Sequence, residues 1–153
     1  MEQLRIKTVS ITQVLLERLF KAPDLKTYMK DNADVMAMPS FDLFITALCE
    51  EAGIKQAYVI ARSGIPRNYA YQLFNGIRKP SRDKVIQMAF GFGLDVKSTQ
   101  ELLKIARQAA LYPRIPRDSV ILRCLYKQKD MGYTQNALRE MGLTLLGGED
   151  KNG

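Results

Sequence analysis

The chain has 153 residues, 46% of them apolar, and carries a net charge of +7 without a single histidine. That apolar share fills the core of one compact domain with an appended lobe and excludes a chain disordered as a whole. The missing imidazoles remove the commonest general base and the commonest neutral metal ligand, and with them a zinc site or a histidine triad. No apolar run approaches the roughly 20 residues that span a bilayer, and the N-terminus lacks the apolar core of a signal peptide, so no membrane partner and a cytoplasmic address are expected. No pair of carboxylates stands out from the surface charges and no glycine-rich phosphate loop occurs, so neither an enzyme nor a cofactor is expected. Aliphatic residues recur at helical spacing almost throughout, and the fold class is all-α.

The first element is SITQVLLERLFKA, with Ile11, Val14, Leu15 and Leu19 on one face and Ser10 and Gln13 placed as a capping box. Pro23 and Asp24 open a shorter helix whose Leu25, Tyr28 and Met29 share a face. Asn32 to Met38 reads as a linker. Residues 1–38 thus form an N-terminal helical lobe, expected to pack on the next domain.

Ser40 caps FDLFITALCEEAG, where Phe41, Phe44, Ile45, Leu48 and Ala52 make the apolar stripe and Gly53 the stop. The stretch from Gln56 to Pro80 then reads as two short helices. The first carries Val59 and Ile60 inward. Gly64 supplies the turn, and a helix from about Pro66 to Asn75 follows, ended by Gly76. Ser81 caps RDKVIQMAFGF, with Val85, Met88, Ala89 and Phe92 facing inward and Gly91 and Gly93 fraying its end. Asp95 caps the next helix, with Ser98 and Glu101 as a second capping box, and Leu102, Ile105, Ala106 and Ala109 as its stripe. Five helices are therefore expected between Phe41 and Ala109, within a domain covering residues 39–111.

Pro113 and Pro116 mark a boundary. Residues 112–146 read as a helical hairpin. Asp118 caps a helix presenting Ile121, Cys124, Leu125 and Tyr126 and ending at Gly132; Thr134 caps the last helix, with Ala137, Leu138 and Met141 on one side. At this length the hairpin needs to dock on the preceding helices. Residues 147–153 form a mobile tail. Cys49 and Cys124, each on or near an apolar stripe, read as buried free thiols.

The charge is unevenly placed. Residues 55–84 carry +6, from Lys55, Arg62, Arg67, Arg78, Lys79, Arg82 and Lys84 against the one acid Asp83, whereas residues 1–54 carry −2 and residues 85–153 carry +3. A basic focus on a helix pair is the electrostatic footprint of a phosphate-backbone ligand.

The segment from Phe41 to about Ala109 resembles the lambda-repressor-like helix-turn-helix domains of the XRE family of bacterial and phage regulators. Gln56, Val59, Gly64, Ile65, Leu73, Gly76, Arg78, Lys79, Pro80 and Ser81 carry the resemblance without gaps. The chain departs from the family at four places. Ile60 stands for a small alanine and Ala70 for a bulky aliphatic, an exchange that conserves volume. Phe74 replaces a glutamate and is expected to pack inward or against the adjoining lobe, and Pro66 replaces a serine cap.

The resemblance implies a five-helix domain, flanked by the lobe and the hairpin, in a sequence-specific regulator of transcription that binds double-stranded DNA. Its second motif helix would read the major groove. Carried over by position, Arg67, Asn68 and Gln72 become the base readers, with Tyr69 and Tyr71 as further contacts. Arg suits guanine, and Asn or Gln suits adenine. Gln56 is placed to fix a phosphate, and Lys55, Asn75, Arg78 and Lys79 join it from the turns. Arg82 and Lys84 extend that set, with a pairing of Arg82 to Asp83 or a neighbouring Glu as the alternative. A homodimer on half-sites about 34 Å apart is expected. The flanking helices are available for that contact or for a protein partner. The competing reading is a protein-binding adaptor or antitoxin-like module on the same fold, for which Tyr69, Tyr71 and Phe74 would form one exposed patch.

Overall fold

The computed structural model describes residues 3–4, 8–36 and 40–148. Among them the regular elements are helices: α1 (Thr8–Lys21), α2 (Leu25–Asp31), α3 (Ala33–Met36), α4 (Phe41–Ala52), α5 (Gln56–Ser63), α6 (Arg67–Phe74), α7 (Arg82–Phe92), α8 (Val96–Ile105), α9 (Pro116–Tyr126) and α10 (Met131–Glu140). A single parallel bridge joins Leu4 to Leu94, with Leu4 donating its amide to the Gly93 carbonyl at 3.2 Å.

The fold is built around α7. The sequence pattern assigns one buried face to this helix, yet every residue from Asp83 to Phe92 is buried. A helix buried all round must be surrounded by others, and α5, α8 and α10 all pack against it. Its closest neighbour is α5. Gly91 does not fray the end of α7: a Cβ there would lie 2.5 Å from the Val59 carbonyl oxygen and 3.1 Å from the Ser63 Cβ. The missing side chain sets the spacing of the two helices, and the helix stops two residues later at Gly93, in the left-handed region.

One apolar cluster runs through the helical body. Ile45 of α4, Val59 of α5, Leu73 of α6, Met88 of α7, Leu102 of α8, Ile121 of α9 and Leu138 of α10 are all fully buried within it. Ile60 and Ala70 are both inside this cluster, and Phe74 turns inward to meet Phe92 with ring centroids 6.5 Å apart. The helices of the expected hairpin share this core, and Cys49 and Cys124 are buried free thiols. Burial first, and the charge of Glu50 second, push the Cys49 thiol up to about 11, so it stays protonated and inert at neutral pH.

The N-terminal helices are more loosely attached. α1 lies against α8, and Arg18 donates to the Asn32 side-chain oxygen at 2.8 Å. Tyr28 is buried as expected, but Leu25 and Met29 are exposed, as is Val14. The side chains of Ser10 and Ile11 lie outside the described ones; the helix begins at Thr8, so Ser10 is not its cap. Asp24 does cap α2, accepting from the Thr27 amide at 2.7 Å. The expected linker contains the short α3, and residues 37–38 lie outside the described ones.

Several expected boundaries move. α8 ends at Ile105, leaving Ala109 exposed beyond it. α9 starts at Pro116 rather than behind an Asp118 cap, because Pro fits the first helical position, where no amide partner is required. It ends at Tyr126, which is exposed. Asp130, not Thr134, caps α10, accepting from the Tyr133 amide at 2.8 Å, and Gly132 lies inside that helix. Met141 is exposed while Leu138 is buried.

Gly91→Ala is expected to force α5 and α7 apart and cost about 1–3 kcal/mol. Gly132→Ala adds a Cβ whose nearest contact is Asp130 Oδ1 at 3.6 Å, and it should leave stability unchanged or raise it by up to about 1 kcal/mol. Denaturant midpoints of the two variants check this. Equal midpoints would show that the close approach does not set the packing.

Candidate nucleic-acid interface

The helix pair is held by its turns. Lys55 is the N-cap of α5 and offers no side-chain cap to the first amides of that helix, which begins at Gln56. α5 ends at Gly64 with φ 73°, a conformation an L side chain resists. Ser63 ties the turn: its hydroxyl donates to the Ile60 carbonyl at 2.8 Å and accepts from the Ile65 amide at 3.1 Å. Pro66 is the N-cap of α6 rather than its first helical residue, and Asn75 is its C-cap.

α6 buries Ala70, Leu73 and Phe74. At about 100° per residue, the opposite face gathers Arg67, Asn68, Tyr71, Gln72 and Asn75 into an arc of about 140°. Arg67, Asn68 and Asn75 are exposed, and Tyr71 and Gln72 are half-buried. Arg67 and Gln72, five residues apart, stand at the two ends of that arc. Tyr69 sits at the edge of the arc. Its ring is 4.7 Å from the Arg78 guanidinium and 5.1 Å from the Lys84 ammonium, while Arg67 lies 5.8 Å from the Tyr71 ring.

The turn after α6 folds back onto Gln72. The amides of Ile77 and Arg78 both donate to the Gln72 carbonyl, at 3.0 and 3.3 Å, and Arg78 Nε donates to the Gln72 side-chain oxygen in a short bond. Gly76 makes this reversal with φ 75°, and a Cβ there would lie 2.6 Å from Asp42 Oδ2. Lys55, Arg78 and Lys79 are exposed and Gln56 is half-buried.

Two basic residues leave the expected phosphate set. Arg82 turns inward: Nη1 and Nη2 donate to the two oxygens of Asp118 at 3.0 and 2.8 Å, Nε to the Ala109 carbonyl at 2.9 Å, and Nη2 also to the Ala110 carbonyl at 3.0 Å. Its fork is occupied by protein. Lys84 is only 4% exposed and lies 3.4 Å from Gln87 Oε1, too deep to meet a phosphate. Of the seven bases between residues 55 and 84, five remain toward the surface: Lys55, Arg62, Arg67, Arg78 and Lys79.

Asp83 answers to a second arginine. Arg117 meets it bidentately, both bonds at 2.8 Å, and donates further to the Thr144 and Leu145 carbonyls at 2.9 Å each. The Gly147 amide donates to Asp83 Oδ2 at 3.0 Å, so the start of the expected tail is held, while residues 149–153 lie outside the described ones. Burial pushes the Asp83 carboxyl up. The Arg117 and Gly147 bonds and the charges of Arg117 and Lys84 outweigh it and hold the carboxyl below its ordinary range. Asp118 is likewise raised by burial and lowered further by Arg82, the Tyr112 amide and Arg117. These partners were missed in the sequence. The available signal was Asp83 itself, the lone acid of the basic stretch.

The patch that the adaptor reading requires is not formed. Phe74 is buried, and Tyr69 and Tyr71 are half-buried with cations over their rings. Among the described residues no helix is long and apolar enough to cross a membrane.

Both lowered carboxyls stabilise the fold fully above their unfolded pKa of about 4, and that contribution is lost as pH falls through the lower folded values. Asp83→Asn should cost about 3 kcal/mol at pH 7, since it leaves Arg117 half-paired. The gap from the unaltered chain should narrow as pH falls from about 4 through the lowered folded value, where Asp83 takes up its proton and becomes neutral like the amide. Denaturant unfolding across that range checks this; a gap that does not change with pH would contradict it.

Compared with known proteins, residues 45–98 match a family model described as helix-turn-helix. No curated protein and no solved structure matches the chain.

Proposed function

We propose that the chain, whose residues 45–98 belong to the XRE, lambda-repressor-like helix-turn-helix family, is a transcriptional regulator that binds double-stranded DNA in a sequence-specific way through α6. The observation that carries this is the outward arc of α6: Arg67, Asn68, Tyr71, Gln72 and Asn75 on one face, with Ala70, Leu73 and Phe74 buried behind them. Such a face enters a major groove as a rigid ridge backed by core. Arg67 and Asn68, exposed at the start of the helix, are the first base readers. Arg67 presents two donors to guanine, and Asn68 a donor and an acceptor to adenine.

Around the arc, Lys55, Gln56, Asn75 and Lys79 are the phosphate contacts. Gln56 lies at the start of α5, where the uncapped amides and the positive end of the helix dipole add to its side chain. These contacts orient the protein and supply affinity without sequence information. One such face covers only a few base pairs, so the chain acts as a homodimer on two half-sites.

Selection of random duplexes with the purified chain, followed by a salt series, tests the proposal. Enrichment of a two-fold-related sequence is the expected result. No enrichment, with binding that vanishes at physiological salt, would sink it. Within the enriched site, Arg67→Ala should relax one base position and cost about 1–3 kcal/mol, whereas Lys79→Ala should weaken all duplexes alike and reduce the salt slope by about one unit.

A further inference from the structure

Arg78 stands outside the recognition helix, in a turn where a basic residue is expected to meet phosphate. Its geometry differs from that of a free phosphate clamp. Its backbone amide and its Nε both end on Gln72, one on the carbonyl and one on the side-chain oxygen, and its guanidinium lies over the Tyr69 ring at 4.7 Å. Lys84, buried behind the turn, approaches the same ring at 5.1 Å. The arginine is thus attached to α6 at three points, and two of them are on a residue of the outward arc.

The bond fixes the chemistry of both partners. An arginine Nε–H can only donate, so the Gln72 carboxamide must turn its oxygen toward Arg78 and its NH₂ group away. A glutamine that pairs with adenine needs that oxygen to accept from the adenine N6 amine while its NH₂ donates to N7. In this arrangement the oxygen is already engaged. What that bond leaves to Gln72 and Arg78 are the Gln72 NH₂ and the two terminal nitrogens of Arg78, all donors. Guanine offers two acceptors in the major groove, O6 and N7, whereas adenine sets a donor beside its one acceptor.

We infer that Gln72 and Arg78 act as one guanine-reading unit, with Arg78 a specificity-determining residue rather than a phosphate contact and Gln72 diverted from adenine. The inference rests on the DNA-reading function proposed above. Tyr69 is a positioning residue in it: the ring holds the guanidinium plane and touches no base.

The test is the same duplex selection, run on the full chain and on its Gln72→Ala and Arg78→Lys variants. Arg78→Lys keeps the charge but cannot form the fork. The unaltered chain should select guanine at a position of each half-site other than the one read by Arg67, and replacing that guanine by adenine in a defined duplex should weaken binding about ten-fold or more. Both variants should flatten that same position and leave the position read by Arg67 selective. Three results would overturn the inference while leaving sequence-specific binding intact: adenine chosen by the unaltered chain at the position Gln72→Ala flattens, guanine retained there by Arg78→Lys, or the two variants flattening different positions. Absence of any enrichment by the unaltered chain would overturn the DNA-reading function, and this unit with it.

Discussion

Two ion pairs cross at the head of α7, and the arrangement of the other helices depends on them. Arg82 pairs with Asp118, and its neighbour Asp83 pairs with Arg117. The two charges of one dipeptide therefore meet the opposite two of another, 34 and 36 residues along the chain. Each arginine is bidentate, and each also binds main-chain carbonyls, which satisfies donors that would otherwise be costly to bury. Buried pairs of this kind often add little net stability compared with an apolar contact. Their contribution here is to register: a slip of one residue between α7 and α9 would place like charges opposite each other.

That register joins parts of the chain that composition would separate. Asp83 holds Arg117 and the Gly147 amide, and Asp118 holds Arg82 and the Tyr112 amide, so the segments before and after the last helix pair are all pinned to the start of α7. Leu146 lies in the common apolar cluster, clamped by Gln135, which accepts its amide and donates to its carbonyl at 2.8 and 2.9 Å. Immediately after Asp83 comes Lys84, whose ammonium reaches the ring of Tyr69. Three consecutive residues thus link the C-terminal segment to the side of α6. The outward face of α6 is supported from behind by residues that, counted along the sequence, look like part of the basic surface itself.

Most of the helices were legible, and the reason is periodicity: Phe41, Ile45 and Leu48, or Ile121, Cys124 and Leu125, repeat at a spacing only a helix buries on one side. The arc of α6 was legible for the same reason, since Ala70, Leu73 and Phe74 mark its inner face. Caps were less so. Asp118 and Thr134 have the chemistry of caps, but Asp118 answers to Arg82 and Thr134 donates its hydroxyl to the carbonyl of the true cap, Asp130, at 2.9 Å. A carboxylate or hydroxyl near a helix start serves its own turn or a distant partner, and nothing local separates the two. The same limit hid Arg82 and Lys84 among the surface bases. It also concealed the meaning of Gly91, since a glycine near a helix end resembles a stop until the neighbouring helix is seen against it.

Gly91 has a consequence for motion. With α5 seated against bare backbone of α7, the first helix of the motif and the central helix behave as one piece, and neither can slide without a clash. Beside them stands α6, eight residues long and bounded by Gly64 and Gly76, both in the left-handed region. Because Ala70, Leu73 and Phe74 of α6 are buried in the same core, this short segment moves with that piece, and its outward arc keeps one shape.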